Sequence, residues 1–224
     1  LREDKSGIIA EFKRKSPSKG VINDFSDVEK VSIGYMQAGA SALSILTDKH
    51  FFGGKNGDLS TARKFNYCPI LRKDFVVSEY QIIEAKSIGA DAILLIAAVL
   101  SKEEIKQFTQ LAHKLGLEVL LEVHTAEELD KYIPEISLVG INNRNLKTFE
   151  VDFENSIRLA KELPSNTVKI AESGISNPEN ILHLKEHGFD GFLIGENFMK
   201  NAQPEITCKD FINHNSRLLR KSAT

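Results

Sequence analysis

The chain is poor in cysteine, has no long apolar run and no dominant charge. Its 224 residues include two cysteines, Cys68 and Cys208, far apart and without CxxC spacing. That spacing gives no disulfide framework and no zinc pattern. With no signal peptide either, the expected compartment is the reducing cytoplasm. No apolar stretch approaches the roughly 18–20 residues needed to cross a bilayer, so no membrane partner is expected. The longest, "AILLIAAVL" (92–100), suits a buried strand. Lys and Arg total 29 against 31 Asp and Glu, a formal charge of -2. A nucleic-acid binder would normally show a basic excess, so no nucleic-acid partner is expected. Composition breaks and low-complexity linkers are also missing, and 1–224 reads as one domain. Because the first residue is Leu1 and not Met, further residues are expected upstream.

What is present is a rhythm. β-rich runs recur at 7–13, 42–48, 69–75, 92–98, 118–124, 138–144, 168–174 and 191–197. Helical patterns lie between most of them. One starts at Ser26, a second runs from Ser78 to Gly89, and "SKEEIKQFTQLAHKLG" opens on a Ser101–Glu104 capping box. "TAEELDKYI", "NSIRLAKEL", "NPENILHLKEHG" and "PEITCKDFINHNSRLLRK" continue the series, and "DLSTARKFN" is its weakest member. Eight strand–helix units predict an α/β fold with eight parallel strands closed into a (β/α)8 TIM barrel. An open doubly wound sheet is the rival.

A barrel places its active site at the C-terminal ends of the strands. Those ends are charged. Glu11 and Lys13 close the first run, Lys73 the third, Glu122 the fifth, and Glu172 with Ser173 the seventh. Each charged residue shares strand parity with an apolar one: Ile9 with Glu11, Leu71 with Lys73, Leu120 with Glu122, Ile170 with Glu172. Alternate strands of a barrel contribute one layer, so these groups are expected to meet, joined by Asn142 and Arg144 from the sixth run. Read singly, each is a solvated strand end or part of a structural ion-pair network. Read together, they are an acid–base site, with a carboxylate to accept a proton and an ammonium to donate one.

The runs ending "AESGIS" and "LIGEN" carry Gly174 and Gly195 just past the seventh and eighth strands. Loops at these places form the usual phosphate cradle of such barrels, which predicts a small phosphorylated substrate. Glu196 is expected to offer its backbone amide and turn its side chain away. Three segments imitate other sites. "HLKEH" (183–187) has the HxxEH zinc spacing, but Ile181, Leu184 and Phe189 make it an ordinary outer helix, and no metal is expected. "FFGGKNGD" (51–58) lacks P-loop spacing and reads as a mobile loop. "KRKSPSK" (13–19) resembles a nucleic-acid patch, yet follows the first strand directly and reads better as an active-site loop.

Taken together, "IIAEFKRKSPSKG", "ILTDKHFFGG", "PILRKDF", "LLEVHT", "VGINNRNL", "IAESGI" and "FLIGE" resemble the indole-3-glycerol-phosphate synthase family. The resemblance implies closure of 1-(2-carboxyphenylamino)-1-deoxyribulose 5-phosphate to an indole, with loss of CO2 and water, in tryptophan biosynthesis. It implies no metal and no organic cofactor. It makes Lys73 the general acid at the ketone oxygen and Glu122 the catalytic carboxylate, with Glu11, Lys13, Asn142, Glu172 and Ser173 in support. Which of Lys13 and Lys73 serves each proton transfer stays open. Ser16 and Arg144 become contacts to the anthranilate carboxylate, Pro17 and Phe75 flank its ring, and Gly174, Gly195 and the Glu196 amide hold phosphate. The family usually has helices ahead of the first motif, so part of an N-terminal helical extension is expected to be missing before "LREDKSG". A monomer or weak homo-oligomer is expected. Other readings are a phosphoribosylanthranilate isomerase, a Schiff-base aldolase, and a non-catalytic nucleic-acid module.

Overall fold

The computed structural model describes residues 6–145 and 148–222. Residues 1–5 of "LREDKSG" and Leu146 of "VGINNRNL" lie outside the described residues. The chain opens with β1 (Ile8–Phe12), a small hairpin of β2 (Lys15–Ser16) and β3 (Gly20–Val21), and α1 (Val28–Gln37). Next come β4 (Ala42–Leu46), α2 (Lys49–Phe52), α3 (Asn56–Phe65), β5 (Ile70–Lys73) and α4 (Glu79–Ser87). They are followed by β6 (Ala92–Ile96), α5 (Lys102–Lys114), β7 (Glu118–Val123), α6 (Ala126–Leu129) and β8 (Leu138–Asn142). The last third holds α7 (Phe153–Glu162), β9 (Val168–Glu172), α8 (Pro178–Glu186), β10 (Gly191–Ile194), α9 (Glu196–Met199) and α10 (Pro204–Ser222).

The eight longer strands close into a barrel in the order β1-β10-β9-β8-β7-β6-β5-β4, each parallel to its neighbours. The open-sheet alternative is therefore excluded. Strand parity sorts the apolar residues into two cores. Ile9, Leu71, Leu94, Leu120, Ile170 and Leu193 fill the interior of the barrel. Their alternates, such as Ile8, Ala10, Phe12, Leu43, Ile45 and Val119, pack outward beneath the helices. A β-strand turns successive side chains to opposite faces, so Glu11, Lys73, Glu122 and Glu172 follow the inner set upward.

One predicted cap forms as read, and three other readings of the helices and their connections are corrected. Ser101 and Glu104 form the predicted reciprocal capping box. The N-cap of α1 is Asp27 instead of Ser26, and its carboxylate accepts from the Glu29 N–H at 2.9 Å. Residues 51–58 are not one loop. They end α2 and begin α3, with only Gly53 to Lys55 between them. The segment read as the weakest helix is thus the body of α3, which buries Leu59 and Ala62. By contrast, "TAEELDKYI" makes a single turn, α6, before the chain leaves helix ahead of Pro134. Lys131 is drawn off to the carbonyls of Ala97 and Leu100, at 2.6 and 2.9 Å.

Candidate active site

β1 delivers Glu11 to the top of the inner face, and Lys13 stands just past the strand end. Lys13 Nζ lies 2.8 Å from Glu11 Oε1. Across the barrel mouth, Lys73 at the end of β5 extends its ammonium into a ring of three acids. Its Nζ donates to Glu172 Oε2 at 2.7 Å and stands 3.4 Å from Glu11 Oε2 and 4.0 Å from Glu122 Oε2. Glu11, Glu122 and Glu172 are buried, Glu172 completely. Buried carboxylates are costly unless paired, so the shared ammonium is what makes this arrangement tolerable.

The environments of the three acids differ. Burial would raise Glu11, but Lys13 and Lys73 outweigh it and hold the carboxyl below its ordinary range. Burial also opposes ionisation of Glu122, and there His124, Lys73 and Asn142 together win and lower it. At Glu172 burial prevails over Lys73, and the neighbouring Glu122 charge adds to it, so this carboxyl is raised. Lys73 itself would be lowered by burial, yet Glu172, Glu11 and Glu122 raise it and fix the ammonium form. The cluster therefore holds two acids lowered by their cations beside one raised by burial.

Two glycines make room for this packing. A Cβ on Gly140 of β8 would overlap Glu172 Oε1, and a Cβ on Gly195 would overlap Glu11 Oε1. We expect Gly140→Ala to displace Glu172 from Lys73 and to cost about 1–3 kcal/mol of stability by overpacking, measured by denaturant unfolding. Unchanged stability and unchanged turnover would show that Glu172 has space to move.

Above the ion cluster opens a cavity of about 460 Å³, within the range of small-molecule sites. Glu11, Lys13, Lys73, Glu122 and Asn142 line its floor, and Ser16, Pro17, Phe75 and Arg144 stand around it. Ser173, Gly174, Gly195 and Glu196 form one end. Glu172 lies beneath the cavity surface and reaches it through Lys73. Phe75 stacks on Phe52, with ring centroids 6.0 Å apart, and Leu94, Ile96 and Leu193 complete an apolar wall suited to a flat ring. Asn142 Nδ2 donates to Glu122 Oε1 at 3.2 Å, while its Oδ1 accepts from the Arg144 N–H at 3.0 Å.

At the glycine-lined end, Ser173 and Gly174 both adopt left-handed backbone, φ 69° and 74°. Such strain at a non-glycine residue persists only where its surroundings impose it. Here Asn143 Nδ2 donates to the Ser173 carbonyl at 2.8 Å. The Glu196 carboxylate pairs with Arg144 at 3.4 Å. The "KRKSPSK" loop is the β2–β3 hairpin, and Arg14 is paired with Asp58 on α3 at 2.5 Å. Of the histidines in "HLKEH", His183 lies on α8 and His187 caps its C-terminus, with ring centroids 4.7 Å apart and His183 3.4 Å from Glu154. Among the described residues, no group of three or more His, Cys, Asp or Glu side chains is arranged to hold a metal ion.

Sequence reasoning missed His124, Phe52 and Ser44. Ser44 Oγ donates to Glu11 Oε2 at 3.5 Å. His124 follows Glu122 by two residues, a parity signal that was available in "LLEVH".

Known proteins of similar fold include thiamine phosphate pyrophosphorylase from Pyrococcus furiosus, with 15% identity, a TM-score of 0.68, and coverage of 95% of this chain and 96% of that one. Tryptophan synthase subunit alpha from Legionella pneumophila is similar at 12% identity and TM-score 0.68, covering 96% and 92%. These likenesses establish the barrel alone. Sequence relatives are nearer. An indole-3-glycerol phosphate synthase of Bacteroides thetaiotaomicron is 55% identical over 212 residues, 95% of this chain and 82% of that protein. Those of Caldanaerobacter subterraneus and Acinetobacter baumannii are each 45% identical, over 95% and 92% of this chain and 82% and 77% of theirs. The family model for indole-3-glycerol phosphate synthase matches residues 1–212. With that match spanning every strand of the barrel and its charged mouth, the chain belongs to the indole-3-glycerol phosphate synthase family.

Proposed function

We propose that this protein closes the indole ring of indoleglycerol phosphate from 1-(2-carboxyphenylamino)-1-deoxyribulose 5-phosphate, releasing CO2 and water, as a cytoplasmic enzyme of tryptophan biosynthesis. The observation that carries the reading is the Lys73 ammonium at the floor of an apolar-walled cavity, 2.7 Å from one buried carboxylate and close to two more. In this scheme the ring carbon bearing the carboxylate attacks C2 of the sugar chain. Lys73 donates a proton to the oxygen at C2, which makes that carbon electrophilic. Glu122 stabilises the positive charge that develops at the ring nitrogen. Departure of CO2 restores aromaticity, and a carboxylate removes a proton as water leaves to complete the indole.

Substrate positioning follows the shape of the cavity. Phe75 and Pro17 hold the anthranilate ring, a proximity contribution. Arg144, Lys13 and Ser16 take its carboxylate before CO2 leaves. Backbone amides at Gly174, Gly195 and Glu196 bind the phosphate at the opposite end, and Ser173, Asn142 and Glu11 support the reacting groups.

The rival enzyme readings fit less well. A Schiff-base lysine must shed its proton to attack a carbonyl, whereas the three acids around Lys73 stabilise its charged form. An isomerase using a strand-end cysteine finds none here, since Cys68 precedes β5 and Cys208 lies buried in α10. The test is fluorescence detection of indoleglycerol phosphate formed from the carboxyphenylamino sugar phosphate. Absence of product from correctly folded protein, or borohydride trapping of an adduct on Lys73, would defeat the reading.

A further inference from the structure

His124 takes no part in the ring closure described above, yet it is clamped between two carboxylates. Its side chain is only 8% exposed. Nδ1 lies 3.2 Å from Glu128 Oε2, and Nε2 lies 3.2 Å from Glu122 Oε1. The first is a hydrogen bond, and the second is a charge contact out of line for one. Glu128 is itself held. Its Oε2 accepts from the His124 backbone N–H at 2.7 Å, and its own N–H donates to Thr125 Oγ1 at 3.3 Å. From α7, Asn155 Nδ2 donates to the His124 carbonyl at 3.4 Å.

We propose that Glu128 and His124 form a positioning relay that holds Glu122 in its ionised form. The proposal rests on the reading of Glu122 as a catalytic carboxylate. Its logic is one of discrimination. Three acids compete for the Lys73 ammonium, so Lys73 favours ionisation of all of them. The groups facing Glu122 are Lys73 from β5, Asn142 from β8, Glu172 from β9 and His124 beyond the end of β7. Asn142 is neutral and Glu172 repels. His124 is the cation that pairs with Glu122 and with neither other acid of the cluster. Glu128 secures it by holding Nδ1–H and fixing the ring orientation.

The protonation state agrees with this geometry. Burial would lower His124, but Glu122 and Glu128 overcome it and raise the imidazole to about 10. Glu172, whose Oε1 has no hydrogen-bond partner, is raised as well. Environments that push neighbouring titratable groups apart assign the acid and the base.

Two measurements test the relay. In the free wild-type protein, NMR titration of the His124 imidazole should show it protonated far above the ordinary 6.5, titrating near 10. Titration near 6.5 would overturn the proposal whether or not the enzyme makes indoleglycerol phosphate. In steady-state assays, His124→Gln should lower kcat by about 10- to 100-fold, the range for a partner that orients a reacting group, with KM nearly unchanged. Its acidic pH limb should move to higher pH as Glu122 loses its cation. Glu128→Gln should shift the limb in the same direction by less, and His124→Lys, which restores the charge, should return it toward wild type. A fall in kcat with an unmoved pH limb, equal in the Gln and Lys variants, would reduce His124 to packing and sink the relay. Wild-type protein that yields no product would instead sink the functional reading, with the imidazole titration still deciding the relay.

Discussion

Lys73→Ala is expected to lower kcat by about 10²–10⁴-fold, the contribution of a positioned general acid, while a phosphate-bearing analogue still binds. The glycine-lined end of the cavity, at Ser173, Gly174, Gly195 and Glu196, is built by other strands, so loss of the ammonium leaves it standing. Stability should fall too. Removing one partner of a buried ionic cluster typically costs about 3–5 kcal/mol, because the remaining charges lose their counterion. Here those charges are Glu172, Glu11 and Glu122.

That loss has a definite pH dependence. Glu172 is already raised in the folded protein, and without Lys73 it rises further, while Glu11, held below its ordinary range, loses part of that lowering. A carboxyl whose folded value lies above its unfolded value contributes stability at low pH and loses it as pH climbs through the folded value. The variant should therefore trail wild type more at about pH 8 than at about pH 5 in urea unfolding. Equal deficits at both pH values would mean that the acids do not depend on Lys73, and undiminished turnover would remove it from the chemistry.

Glu122→Gln should carry the second largest effect, again about 10²–10⁴-fold in kcat with KM little changed. The substitution is nearly isosteric, and its carbonyl can still accept from Asn142. What disappears is the negative charge. Glu172 then loses the repulsion that helps to raise it, so its proton should leave at lower pH. The limb that Glu172 sets in the pH profile of kcat should therefore move to lower pH. A rise in KM with intact kcat would instead assign Glu122 to binding, since only interactions made in the transition state lower kcat and kcat/KM together.

Much of this architecture was legible in the chain. The parity of Ile9 with Glu11, Leu71 with Lys73, Leu120 with Glu122 and Ile170 with Glu172 predicted a convergence that the ion distances bear out. The Ser101–Glu104 cap was readable because capping is a local exchange of hydrogen bonds within four residues. The failures were equally physical. Residues 51–58 looked like a loop because glycine and polar residues dominate them, but α3 is secured by tertiary burial of Leu59 and Ala62 and by the Arg14–Asp58 pair. In "TAEELDKYI" the local pattern favoured helix, and contacts from Lys131 to the preceding strand–helix loop prevailed.

The sequence by itself determined which side chains enter the barrel, since a period of two is a property of each strand taken alone. It also determined the strand–helix alternation and the chemical identities of the acids and amines at the mouth. Only the tertiary structure decided how those groups share protons. That Lys73 bonds Glu172 more closely than Glu122, and that Gly140 makes room for a buried carboxyl, both depend on distances between strands remote in the chain. Electrostatic energies in a desolvated site change steeply with separation and burial, and neither quantity exists until the barrel has closed.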